Sequence, residues 1–180
     1  MNILSVKELK INALMLPVTG LLFALLATPI LAGDFEDGLR FSIDGNYNSA
    51  AASFRKAAER GEVEAQLNLA LMYEEGRGVT QDYKQAAIWY LKAAEQDQAR
   101  AQFKLGKMLF EGAGIHQDNV EAYKWFSIAN EKNKRGAKMD LGKVASQMTQ
   151  PQITEAQHRK RKWLKAHLIK NQPSKQVKPS

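Results

Sequence analysis

The sequence contains no cysteine, and that absence removes several chemistries at once. There can be no disulfide framework, no thiolate nucleophile and no Cys-based zinc site. Nor is there a cysteine behind the N-terminal apolar run to carry a lipid. Histidine is scarce: His116, His158 and His167 are the only three. His116 falls in a turn where the matching position of a sister segment is Thr80, an exposed loop site. His158 and His167 are nine residues apart, too far for a ligand pair on adjacent helical turns, so no metal is expected. No G-x-x-x-x-G-K-S/T or dinucleotide fingerprint occurs. Glu74-Glu75 beside Gly76-Arg77-Gly78 lacks both the spacing and the preceding strand of a phosphate cradle. With no nucleophile and base in reach of each other, no catalytic residue and no cofactor are assigned, and a non-enzymatic protein is expected.

What remains is 180 residues, 44% hydrophobic and 25% charged, enough for one modest domain that folds in water. The formal charge of +7 is uneven. Residues 1–32 hold two Lys and one Glu, residues 33–155 hold 16 basic against 18 acidic side chains, and residues 156–180 hold 8 basic and no acidic ones. At the N-terminus Lys7 and Lys10 precede an apolar run over residues 13–31, closed by Ala32-Gly33. That order is a secretory signal, with cleavage expected after Ala32. The run approaches the roughly 20 residues that span a bilayer, although Pro17, Gly20 and Pro29 interrupt it, so an uncleaved inner-membrane anchor is the alternative. Either reading places the chain outside the cytoplasm, periplasmic or secreted, where nucleic acid is not an expected partner.

Displaced by 36 residues, the chain falls on itself. The segment EAQLNLALMYEEGRGVTQDYKQAAIWYLKAAEQ from Glu64 meets RAQFKLGKMLFEGAGIHQDNVEAYKWFSIANEK from Arg100. Leu69 meets Leu105, Gly76 and Gly78 meet Gly112 and Gly114, and Trp89 meets Trp125. One step back lands on Ala50 and Ala57, and one step forward on Ala137 and Leu141, so two good repeats are flanked by two atypical ones. Each repeat predicts two helices. Ala65, Leu69, Met72 and Tyr73 form one apolar stripe, and Ala86, Trp89, Tyr90, Ala93 and Ala94 form the other. Gly76 is placed to end the first helix and Val79 to turn into the core. Asp82 with Gln85, and Asp118 with Glu121, have the spacing of a capping box.

The pattern A-x-x-x-L-x-x-M-Y-x-x-G-x-G-V-x-x-D-x-x-x-A-x-x-W-Y-x-x-A-A over residues 65–94 resembles the Sel-one-like repeat family, a relative of the tetratricopeptide proteins. The match is clearest over residues 65–129 and extends weakly to 35–163, and the segment MTQPQITEAQHRKRKW is similar to the closing helix of short bacterial members. The resemblance implies an all-α, right-handed superhelical solenoid of about four helix-loop-helix repeats. It also implies adaptor work in the cell envelope rather than catalysis. Some cysteine-rich relatives have been proposed to hydrolyse cell-wall or β-lactam substrates, but their disulfide pattern cannot exist here. The expected organisation is a signal over 1–32, repeats over 33–145, a basic closing helix over 146–170 and a disordered end over 171–180.

By the same resemblance the first helix of each pair lines a concave groove. Residues there off the buried stripe are Leu67, Asn68, Leu71 and Glu74 in one repeat and Phe103, Lys104, Lys107 and Phe110 in the next. These are the candidate contacts for a protein or peptide partner, with packing between neighbouring repeats as the alternative. In the closing helix Ile153, Ala156, Trp163, Leu164 and Leu168 are expected to face inward. Arg159, Lys160, Arg161, Lys162 and Lys165 form a basic stretch that either solubilises the end of the chain or contacts anionic lipid or polysaccharide.

Overall fold

In the computed structural model, which describes residues 33–132 and 136–170, every regular element is a helix. In chain order these are α1 (Gly33–Ile43), α2 (Tyr47–Glu59), α3 (Val63–Glu75), α4 (Tyr83–Glu95), α5 (Ala99–Glu111), α6 (Asn119–Glu131), α7 (Ala137–Ala145) and α8 (Gln150–Lys170). They pair as four helix-loop-helix units, the all-α solenoid the repeat predicts. The expected signal over 1–32 and the expected disordered end over 171–180 lie outside the described residues. No helix among the described residues is long and apolar enough to cross a membrane.

Small residues set the helix spacing. Ala65, Leu69, Ala86, Ala93 and Ala94 are wholly inaccessible, as are Ala50, Ala57 and Ala101 at the matching positions of neighbouring units. Methyl-sized side chains let the helices approach closely, and the large side chains Tyr90, Trp89 and Trp125 are buried among them.

The two loop glycines have different duties. Gly76 (φ 69°) and Gly112 (φ 72°) end α3 and α5 in the left-handed conformation, their N–H groups donating to the carbonyls of Met72 and Met108. Gly78 also has positive φ, and a Cβ on it would lie 2.0 Å from the Tyr47 carbonyl oxygen. One on Gly114 would lie 2.3 Å from the Tyr83 carbonyl carbon. The second glycine thus presses each loop onto the first residue of the preceding unit's second helix, a contact between units that a single-repeat reading does not reveal.

Asp82 and Asp118 cap α4 and α6, each carboxylate accepting two backbone N–H groups at 2.9 and 3.0 Å. The returning half of the expected capping box does not form. The Asp82 N–H donates instead to the Tyr73 carbonyl (3.0 Å), and that of Asp118 to Leu109 (2.9 Å). With those donors satisfied by the preceding helix, Glu121 is released to bind Lys124 and Arg159. A second repeated tie joins units in sequence: the buried Gln66 amide donates to the Ala58 carbonyl, and that of Gln102 to Ala94, both at 3.2 Å.

The ends close differently. On α1, Phe35 packs against Phe54 (ring centroids 5.7 Å), with Gly38 leaving room for the Phe54 ring. At the other end α8 lies directly on α6. Trp163 meets Trp125 edge-on at 5.6 Å, Arg159 reaches Glu121 at 2.9 Å, and Lys160 pairs with Glu131. Leu168, expected on the inner face, is 65% exposed. The inward contact ends one residue earlier, at His167, which stacks on Trp163 (4.8 Å) and approaches Asp97.

Candidate partner-binding groove

First helices and their neighbours form a cleft of about 310 Å³ that brings together residues from α1, α2, α3 and α5. Phe54, Leu71 and Met72 supply its apolar floor, while Ser42, Asn68 and Arg100 supply polar groups. Asn68 donates its amide to the Glu64 carbonyl at 2.9 Å, which fixes the side chain and leaves its oxygen as an acceptor. Arg77 forms another part of the lining, held by Glu75 at 3.0 Å and lying over the Tyr47 ring. Arg100 makes no ion pair among the described residues and is exposed.

Of the eight groove residues expected from the sequence, Asn68 and Leu71 line this cleft. Leu67 is 3% exposed and part of the main core. Glu74 and Lys104 are bound to each other: the Lys104 ammonium lies 2.8 and 3.0 Å from the two Glu74 carboxylate oxygens, and the buried Tyr90 hydroxyl donates to the same carboxylate. Burial, and then that hydrogen bond, push the Tyr90 phenol well above its usual range. Phe103 and Phe110 pack against a second cluster built on Ala122, Phe126 and Val144, where Phe103 meets the Phe126 ring at 5.7 Å. Lys107 is exposed and within 3.7 Å of Glu111 on its own helix.

Sequence reasoning missed the contributions of Ser42, Tyr47, Phe54 and Arg100, because a groove assembled across three units is invisible to one unit's stripe. It also missed a second, apolar cleft of about 260 Å³ between α4 and α6, lined by Ile88, Leu91, Leu105, Leu109, Ile115 and Trp125. A signal for it was present: Ile88 and Leu91 are exposed on α4 where α6 carries Lys124 and Ser127.

The basic stretch of α8 divides in two. Arg159 is bound by Glu155 (2.7 Å) and Glu121 (2.9 Å), carboxylates that hold its guanidinium above the usual range, and Lys160 is bound by Glu131. Arg161, Lys162 and Lys165 are exposed and make no ion pair among the described residues. Within those residues no group of three or more His, Asp or Glu is placed to hold a metal ion.

The Sel1 repeat family matches residues 31–62, 63–98 and 99–134 in three consecutive copies. Among solved structures, a protective antigen of uropathogenic Escherichia coli strains displaying an SLR fold is similar over 82% of this chain, with 29% identity and a TM-score of 0.68. A Sel1 repeat protein from Oxalobacter formigenes is similar over 67% of it, with 33% identity and a TM-score of 0.59. The chain covers 34% and 53% of those two proteins, so each is considerably longer than the shared region. No curated protein matches the chain.

Proposed function

The chain belongs to the Sel1 repeat family, whose tetratricopeptide-like fold is typical of non-catalytic interaction scaffolds, and from that premise we propose that it is an exported adaptor holding a partner protein or peptide in the groove of its first helices. The observation that carries this reading is the cleft between α1, α2, α3 and α5. It offers an apolar floor at Phe54, Leu71 and Met72, an acceptor at Asn68 and an unpaired cation at Arg100. Such a site suits one apolar side chain of an extended or helical segment with a carboxylate nearby. Four units give a short surface, matched to a single peptide. Export rests on Lys7, Lys10 and the apolar run of residues 13–31, followed by the small pair Ala32-Gly33.

The ion pair between Lys104 and Glu74 decides how the groove is tested. A charge reversal at Lys104 would disturb the joint between units two and three, so loss of binding in that variant would not locate a partner. Arg100 and Asn68 make no hydrogen bond or ion pair in that joint, and because Arg100 acts electrostatically on Tyr90 an unchanged stability is the required control. In-cell crosslinking and affinity capture from an envelope fraction should recover a specific protein with the wild type and lose it with Asn68→Ala/Arg100→Glu, at unchanged helicity and melting temperature. Equal recovery with both would remove the groove from this account.

A further inference from the structure

We propose that the outward face of α8 is a docking surface for an anionic phospholipid bilayer, with Arg161, Lys162 and Lys165 meeting the headgroups and Leu168 and Ile169 entering the interface beneath them. Unlike the partner groove, this surface uses none of the residues of α1 to α5.

The ion pairs of α8 separate two kinds of cation. Arg159 and Lys160 point inward and are engaged by Glu121 and Glu131. The other cations, Arg161, Lys162 and Lys165, lie on the opposite side, with His158 a turn before them and Ile169 a turn after, a spacing that places all five residues on one helical face. His158 and Arg161 line one open surface together with Thr154. Glu155 shares that surface and Glu131 lines the cleft beside Arg161, but each is bound by another cation, Glu155 by Arg159 and Glu131 by Lys160, and residues 156–180 contain no Asp or Glu.

Charge alone would suit any polyanion. Leu168 and Ile169 distinguish among them, each 65% exposed in the turn that follows Lys165. A nucleic acid or a polysaccharide would pair with the cations and leave two large apolar side chains in water. A bilayer supplies phosphate at the surface and hydrocarbon below it, the same order as along this helix.

The absence of native cysteine allows one reporter site to be introduced. Full-length Leu168→Cys, carrying a polarity-sensitive fluorophore, is titrated with vesicles of phosphatidylcholine plus phosphatidylglycerol and with vesicles of phosphatidylcholine alone. The expected result is a blue shift on the anionic vesicles only. Arg161→Gln/Lys162→Gln/Lys165→Gln should weaken that binding about a hundredfold, at about fivefold for each charge. Removing the same charge elsewhere, in Lys56→Gln/Lys84→Gln/Lys92→Gln, should change it about twofold or less, as expected of distant charges screened by salt. Ile169→Ser tests the apolar half independently, with about tenfold weaker binding expected. Equal shifts on both vesicle types would overturn the proposal, as would equal weakening in the two triple variants. Binding without a blue shift, competed fully by dextran sulfate, would overturn it in favour of a soluble polyanion. Should the α8 triple variant lose helicity, full binding by Ile169→Ser would still overturn it.

Discussion

The second and third units share their glycine turns and aspartate caps, yet they join their successors by different chemistry. Between units two and three the joint is polar: Tyr90 on α4 donates to Glu74 on α3, which also holds Lys104 of α5. Thirty-six residues on, the matching positions are Phe126, Phe110 and Asp140. There the joint is apolar, with Phe103, Phe110, Leu141 and Val144 around Phe126, and Asp140 turns to Lys143 of its own helix. Even the floor changes, from Ala70 to Gly106, where a Cβ would come within 3.0 Å of the Phe126 ring. The backbone register is set by small residues and caps that recur. The filling between units differs at several matching positions together.

The largest effect expected from disturbing either joint is at the apolar one. Phe126→Ala removes a fully buried ring on which the second cluster is built, and should cost about 3–5 kcal/mol in denaturant unfolding. At the polar joint Lys104→Glu places a second carboxylate beside Glu74. Both native side chains are 25% exposed, so solvent screens part of the repulsion, and a loss of about 2 kcal/mol is expected. Adding Glu74→Lys should recover only part of it, because the swapped ion pair returns while the Tyr90 hydroxyl loses its acceptor at position 74. At the sister position, Asp140→Lys should cost less than about 1 kcal/mol, because its ion pair lies within one helix and joins no units. Equal losses at residues 104 and 140 would mean that the two joints are not different in kind.

This contrast also explains what could be read from the sequence. Period, helix pairs, Gly76, Val79 and Asp82 were legible because each depends on local geometry that repeats at a fixed interval. Gln66 and Gln102 were legible in principle, since they align as identical residues, although a search for apolar stripes passes over them. The groove was poorly legible because being off the buried stripe of one helix has two outcomes, facing solvent or facing the next unit. Phe103, Phe110 and Leu67 took the second, and only the neighbouring unit decides between them. Glu74 and Lys104 looked like free groove charges since their partners lie 16 and 30 residues away. At the end of α8, periodicity continued Leu168 onto the inner face, but the contact surface stops at His167.

A pH titration separates the joints by a smaller effect. Burial and the hydrogen bond to Glu74 raise the folded-state pKa of Tyr90 above its unfolded value near 10. The contribution is therefore complete below about pH 10 and declines as pH rises past it, because the unfolded chain releases a proton that the folded chain retains. The limiting slope for this one group is about 1.4 kcal/mol per pH unit. Stability measured across that range should fall less steeply in Tyr90→Phe than in the wild type. Phe126 carries no proton, so Phe126→Ala should leave the alkaline slope as it is. A wild-type slope unchanged by Tyr90→Phe would remove the Tyr90 hydroxyl as its source.

The smallest net effect is expected where the most residues change. Ala70→Gly/Glu74→Phe/Tyr90→Phe gives the second unit three of the residues that fill the third, leaving Leu67 and Met108 where that joint has Phe103 and Val144. Single members of the set should be costly. Glu74→Phe alone leaves the buried Tyr90 hydroxyl without its acceptor, a loss of about 1–3 kcal/mol. Ala70→Gly alone costs about 1 kcal/mol of helix propensity. Together the three exchange a hydrogen-bonded carboxylate and phenol for two packed rings, a replacement that is often near neutral when volume and shape are kept. Lys104 loses its carboxylate but can extend its ammonium to water along its own stem. The triple variant should therefore lie within about 1 kcal/mol of the wild type, less than the sum of its single changes. Strict additivity would show that the two fillings are tuned to different backbones, and that the shared turns and caps do not by themselves fix the geometry of the joint.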